Sequence, residues 1–182
     1  MAENPDEMVA DALFSIVEGY TPGVMAEIIA LHMAYYPAAW GFGRSFEGRL
    51  GADMGAFLRS FAPETDLLLA ARDDDGALQG SVVLQGPRHN GDGSDDDAHL
   101  RWFIVADGQP GMGLGRALLR RATGFADAMG YPMCYLTTFP GLSAARHLYE
   151  SAGFRLVATS TVDQWDGGVQ EQRFERLRGG EP

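Results

Sequence analysis

The 182-residue chain contains no lysine; all fourteen of its basic residues are arginine. That absence excludes a Schiff base, a lysine general base and the lysine of a nucleotide-binding P-loop. Cysteine is almost missing as well. With Cys134 alone, neither an internal disulfide nor a thiolate metal cluster can form, and no metal is expected. No apolar run reaches membrane-spanning length, and the acidic opening "MAENPDEMVADALF" lacks the hydrophobic segment of an export signal. These features predict a cytoplasmic protein with no membrane partner. Positive charge is scarce overall: 14 basic residues stand against 25 acidic ones, a formal net charge of −11. Such a balance argues against nucleic acid, whose binding is driven by cationic neutralisation of phosphates, and favours a cationic partner.

What is present is a globular composition, 46% hydrophobic and 21% charged, at a length that predicts one domain over residues 1–182. Residues 12–20, "ALFSIVEGY", read as a first strand. In the following "TPGVMAEIIALHMAYY", Thr21 is expected as N-cap and Pro22 at the first helical position, with Val24, Ile28, Leu31 and Tyr35 at helical spacing. Pro37 and Gly41 are expected to break this helix. Ser45 then caps a second one, with Phe46, Leu50, Met54, Phe57 and Phe61 on one side. "DLLLAAR", the turn Asp73–Gly76 and "ALQGSVVLQ" form a hairpin, and "AHLRWFIVA" adds a third strand. The run Asp95–Asp97 lacks the alternate ligand spacing of a calcium loop and reads as a solvated tip. A helix from Leu114 to Gly130, the strand "PMCYLTT", a helix in "LSAARHLYESAG" and a pair of strands around "DGG" complete an α/β (α+β) order, β-αα-βββ-α-β-α-ββ.

The stretch "GQPGMGLGRALLRRATGFADAMG" (108–130) concentrates glycine where a helix begins. Gly111, Gly113 and Gly115 allow positive φ and close approach of a ligand, and a helix start adds unpaired N–H groups and a positive dipole end. This is the chemistry of an anion site, with a flexible turn and helix cap as the plain alternative. A Walker loop fails because Gly115 is followed by Arg116-Ala117, and the dinucleotide fingerprint fails because the third glycine is misplaced. Arg116, Arg120 and Arg121 on the same helix suit either an anionic ligand or a solvated face.

Together the element order, the loop "PGMGLGRALL" and the later "AARHLYESAGF" resemble the GNAT-type N-acetyltransferases, over nearly the whole chain. In "HLRWFIV", "TTFPGLSAARHLYESAGF" and "EQRFE" the likeness runs toward the branch sometimes fused behind a MarR-type winged helix. The resemblance implies a mixed, mostly antiparallel central sheet flanked by helices. It implies acetyl-CoA as co-substrate, a small-molecule or peptidic primary amine as acceptor, and a homodimer among the assemblies to test. It assigns cofactor binding to Phe103, Ile104, Val105, Gln109, Gly111, Met112, Gly113, Leu114, Gly115, Arg116, Ala144 and Tyr149. Two positions depart from the family pattern. Pro110 stands where Gln or Arg is usual and supplies no N–H, and Leu142 replaces an Asn that holds the pantetheine arm.

Acyl transfer from a thioester to an amine needs a neutral amine, a held oxyanion and a stabilised leaving thiolate. Tyr149, in "LYESAGF", matches the family tyrosine near the sulfur, the alternative being a core tyrosine. Backbone N–H groups of Ile104 and Val105 are expected at the oxyanion. "AHLRWFIVA" offers no carboxylate as base, leaving His99 and His32 as candidates, with Glu47 beside them; His89 and His147 read as surface residues. His32, Tyr35, Tyr36, Trp40 and Glu47 are expected to receive the acceptor, the plain alternative being a helix packed on the sheet. A catalytically weak acyl-CoA-binding sensor of the same fold is the rival from another class. A generic phosphate-binding protein would leave "LYESAGF" unexplained.

Overall fold

A computed structural model describes residue 10 and residues 13–88, 97–107, 113–161 and 168–179. Seven strands form one sheet in the order β1-β2-β3-β4-β5-β7-β6. They are β1 (Ser15–Glu18), β2 (Leu67–Arg72), β3 (Leu78–Gln85), β4 (Ala98–Val105), β5 (Met133–Thr138), β6 (Arg155–Ser160) and β7 (Glu171–Leu177). Among the described residues four helices have both ends defined: α1 (Val24–Trp40), α2 (Arg44–Arg59), α3 (Leu114–Met129) and α4 (Ser143–Ser151). The expected order and the mixed, mostly antiparallel sheet are thus observed. No helix among the described residues is long and apolar enough to cross a membrane.

Over β2 and β3 both faces of the sheet are covered, which explains why these strands are buried almost without alternation, whereas the edge strand β6 is exposed. On one face, Leu69, Val82, Leu84 and Leu100 pack with Leu114, Leu118 and Ala122 of α3 and with Tyr149 of α4. On the other, Leu68, Ala70 and Val83 meet Val24 and Ile28 of α1 and Phe46, Leu50, Met54 and Phe57 of α2. Cys134, on β5, is buried in the first of these cores.

Three helix ends differ from the sequence expectation. Thr21 to Val24 form a turn, closed by Val24 N–H donating to Thr21 O at 3.1 Å, and Gly23 at φ +93° precedes α1 without a side-chain cap. Pro37 does not end α1. Its ring takes a helical φ and only its missing N–H is lost, so the helix runs on to Trp40 and stops at Gly41, φ +69°. Likewise α2 begins at Arg44, with Gly43 as its N-cap, placing Ser45 inside the first turn. The hairpin turn matches its signal: Asp73 Oδ1 accepts from Ala77 N–H at 2.8 Å.

The feature that shapes the molecule is in β4. Ser81 faces Ile104 while Val83 faces Arg101, so β4 has one residue more than β3 across the same span. This bulge centres on Trp102, the one non-glycine residue among those described with positive φ, +47°. An L-residue held there costs about 1–2 kcal/mol. A bulge bends its strand and increases its twist. The consequence lies on the next edge, where β4 and β5 run parallel yet pair only at Ala98–Cys134 and His99–Tyr135. Beyond those two pairs the strands diverge.

Candidate active site

The opening between β4 and β5 carries a cavity on either side of its mouth. The first, about 140 Å³, lies toward α1 and α2, and its wall includes His32, Arg49, Asp53, His99, Arg101 and Thr138. The second, about 270 Å³, lies between the end of β4 and the start of α4, against Tyr35, Ile104, Val105, Leu142 and Ala144. Tyr36, Phe103 and Tyr149 line both. A molecule passing from one cavity to the other moves along these three rings.

Tyr149 is held by aromatic neighbours, with ring centroids of Phe103 at 5.7 Å and Phe174 at 6.1 Å. Burial, with Tyr36 beside it, pushes its phenol well above the ordinary tyrosine range. The hydroxyl therefore keeps its proton at all physiological pH and can only donate or accept a hydrogen bond. Tyr36 is shifted the same way by burial.

His32 is 4% exposed, and its Nδ1–H donates to Ile28 O one turn earlier at 2.8 Å. A carbonyl only accepts, so this bond fixes the tautomer and leaves the lone pair on Nε2. The ring lines the first cavity. Burial lowers the imidazole pKa to about 4. His99 stacks on Tyr135 at 4.1 Å, at the closed end of the opening. Burial, Arg101 and Arg173 hold its pKa well below the usual histidine value.

Backbone geometry separates the two amides expected at the oxyanion. Ala106 N–H donates to Gln79 O at 2.8 Å, and N–H groups alternate edges along an antiparallel ladder. By that alternation Ile104 N–H faces β3, whereas Val105 N–H faces the opening. Ile104 serves as wall.

The glycine loop is described from Gly113 onward; Gln109, Pro110, Gly111 and Met112 lie outside the described residues, as do His89, Asp95 and Asp96. Gly113 takes φ +72° as N-cap of α3, and no side chain caps the helix. A helix start of this kind offers first-turn amides, here those of Leu114 and Gly115, to an anion. Gly115 has another reason to be glycine. It is helical, and a Cβ there would lie 3.0 Å from Leu148 Cδ1 and 3.5 Å from Phe103 Cζ and Val105 Cγ2. Its smallness lets α3 pack against α4 and β4. Leu114 points its side chain into the core, 2% exposed, and Arg116 is exposed on the helix.

Two expected acceptor residues are not brought to either cavity. Trp40 packs on Phe139 at 5.3 Å and on Tyr36 at 5.9 Å, with its indole 3.3 Å from where a Cβ of Gly141 would stand. Glu47 is exposed, because one residue past Phe46 the helix has turned about 100° away from its buried stripe. His147 is exposed, as expected. The structure adds Arg49, Asp53, Arg101 and Trp102 to the first cavity. Arg49 and Asp53 carry a sequence signal, an i,i+4 charge pair on α2 with Nε to Oδ2 at 3.8 Å. The bulge has none.

Against known proteins, the sequence model of the acetyltransferase (GNAT) family matches residues 25–154. No curated protein matches the sequence. Similar solved structures include a GNAT-family acetyltransferase from Staphylococcus aureus Mu50, with a TM-score of 0.69 and 17% identity, covering 90% of this chain and 98% of the other. Spermidine N-acetyltransferase from Vibrio cholerae, in complex with CoA and spermine, superposes with a TM-score of 0.67 at 18% identity, covering 93% and 98%. Nourseothricin acetyltransferase reaches 28% identity with a TM-score of 0.52, covering 62% and 65%. The expected closeness to the branch fused behind MarR-type winged helices is not borne out by these matches.

Proposed function

The chain belongs to the GNAT acetyltransferase family, and from that premise we propose that it moves an acetyl group from acetyl-CoA to a primary amine of a small molecule or peptide by direct attack. The observation that carries this reading is the meeting of two cavities at Tyr149, in the opening between β4 and β5. In this reading the pantetheine arm enters through the second cavity, along Phe103 to Val105 and past Ala144. The pyrophosphate rests on the glycine loop, at the amides of Leu114 and Gly115 where α3 begins. The acceptor comes from the first cavity.

Magnitudes assign the proton steps. A lysine-like ammonium must shed its proton before attack, which at pH 7 costs about 4.6 kcal/mol. His32, at a pKa of about 4, is too weak a base to draw that proton off in the site, so the amine loses it to bulk solvent in a pre-equilibrium and attacks as the free base. Once the amine lone pair has attacked the thioester carbonyl, the nitrogen becomes cationic and strongly acidic. His32 Nε2 is suited to that second proton. The carbonyl oxygen, now negative, is held by Val105 N–H. Collapse re-forms C=O, breaks C–S and expels CoA thiolate toward Tyr149. Because burial raises the phenol further above an ordinary thiol, Tyr149 stabilises the thiolate by donating a hydrogen bond. The proton on His32 then returns through solvent to give the free thiol.

The test is release of CoA thiol from acetyl-CoA across a panel of amines. Turnover is expected with at least one amine, and Tyr149→Phe should lower kcat about 10²-fold with acetyl-CoA affinity unchanged. A wild-type protein that binds acetyl-CoA but transfers to no amine is a sensor, and the enzyme reading falls.

A further inference from the structure

Tyr36, Phe103 and Tyr149 line both cavities, but they reach the neck between them from opposite faces of the sheet. Phe103 and Tyr149 belong to the core against α3 and α4. Tyr36 belongs to the core beneath α1 and α2. The neck is thus bounded by one ring on the α1 side facing two on the other.

How far the single ring can yield follows from what packs around it. His32, Tyr36 and Trp40 follow one another at four-residue steps and share one face of α1. Among the described residues six rings stand about that of Tyr36. Their centroids lie at 5.1 Å for Tyr35, 5.4 Å for Phe46, 5.7 Å for Phe42, 5.8 Å for His32 and Phe139, and 5.9 Å for Trp40. These neighbours come from α1, from the link that follows it, from α2 and from just past the end of β5. Phe42 is 1% exposed, and the Trp40 indole lies 3.3 Å from where a Cβ of Gly141 would stand. Tyr36 cannot swing aside without displacing side chains packed as densely as an interior. Its ring is a fixed wall.

In the acetyltransferase reading the pantetheine arm arrives through the second cavity and its sulfur lies at Tyr149. The acyl carbon is one bond further on, and its chain continues toward the first cavity, of about 140 Å³. That path brings the end of the acyl chain against the Tyr36 ring. A fixed wall at the end of an apolar chain discriminates strongly, because one methylene in such a pocket is worth about 10- to 200-fold.

We infer that Tyr36 sets the length of the acyl chain the protein accepts, its ring closing the neck to chains longer than acetyl. The inference rests on the acetyltransferase reading for the path of the pantetheine arm and adds the selection that the reading leaves open. Calorimetry with CoA, acetyl-CoA, butyryl-CoA and hexanoyl-CoA, with no acceptor present, tests it without turnover. Wild type is expected to bind hexanoyl-CoA about tenfold or more weakly than acetyl-CoA, with butyryl-CoA between them. Tyr36→Phe keeps the ring and should keep that ladder. Tyr36→Met and Tyr36→Leu remove the ring while leaving apolar atoms among its neighbours, and each should bring hexanoyl-CoA to within about threefold of acetyl-CoA. CoA itself should bind every variant as it binds wild type, which shows the fold intact; two aliphatic variants are made so that a folded one decides. A flat ladder in wild type, a step that survives in the aliphatic variants, or a step lost as fully in Tyr36→Phe overturns the inference. Any of these with normal CoA binding leaves the acetyltransferase reading standing. Failure of wild type to bind CoA at all removes that reading and this one with it.

Discussion

His32 shows how burial decides what a side chain can do. The same desolvation that leaves its Nε2 lone pair available also destabilises the fold in acid. In the unfolded chain the imidazole binds a proton below its ordinary value of about 6.5, and in the folded chain only below about 4. Stability is therefore whole above pH 6.5 and is lost as pH falls toward 4, by about 3 kcal/mol for this group. His99, shifted in the same direction, adds to the effect. His32→Gln should flatten part of the fall in urea midpoint between pH 7 and pH 5, and an unchanged fall would mean that the imidazole titrates normally. Catalysis follows another group. If water takes the first proton, log(kcat/KM) should rise with unit slope between pH 6 and 8 as the acceptor amine deprotonates, in wild type and variant alike. At this scale sequence reading singled out Tyr149 and His32, both of which line the first cavity, because both stand in motifs or on clear helical faces. It missed Arg101, since nothing in "HLRWFIV" marks the residue where the strand gains its extra member.

Elements were more legible than their ends. The seven strands and the four bounded helices follow from apolar period and turn residues, but the first strand is only Ser15–Glu18, with Leu13 before it helical, and Pro37 and Ser45 misled as punctuation, because a helical φ suits proline and Gly43 had already opened α2. Gly115 was read as room for a ligand, whereas its neighbours make it room for α4. The two readings separate on substitution. Gly115→Val would press methyl groups against Phe103, Val105 and Leu148, so a loss of about 1–3 kcal/mol is expected from overpacking. The displaced α4 would carry Tyr149 with it. Gly115→Ala meets mainly the flexible end of Leu148 and should cost far less. Denaturant midpoints and the KM for acetyl-CoA, taken on both variants, check this. Equal damage from Ala and Val, confined to KM, would restore the ligand-approach reading.

At the scale of the molecule, two pairs between β4 and β5 join a four-stranded part of the sheet to a three-stranded part. A sheet that opens for a ligand along that line needs its parts fastened elsewhere. Arg176 of β7 provides one fastening: buried, it donates to both carboxylate oxygens of Asp127 on α3, at 2.8 and 2.7 Å, and to Ala152 O at 3.0 Å. Since α3 lies on β2, β3 and β4, this pair ties one part to the other. Asp127→Ala leaves the guanidinium buried without its carboxylate. With Asp127 itself 36% exposed, a loss of about 2–3 kcal/mol is expected, below the range for fully buried pairs. Hydrogen exchange should quicken in β6 and β7 more than in β2 and β3, and uniform quickening would deny that the two parts can separate. Cys134 gives this opening a chemical clock. It sits on one of the two joining pairs, 2% exposed, with its thiol pushed up to about 12 by burial. The native protein is thus expected to be silent toward disulfide reagents, so that a thiol assay for CoA should carry no background from the enzyme, and the slow appearance of one protein thiol per chain should time the parting of the sheet.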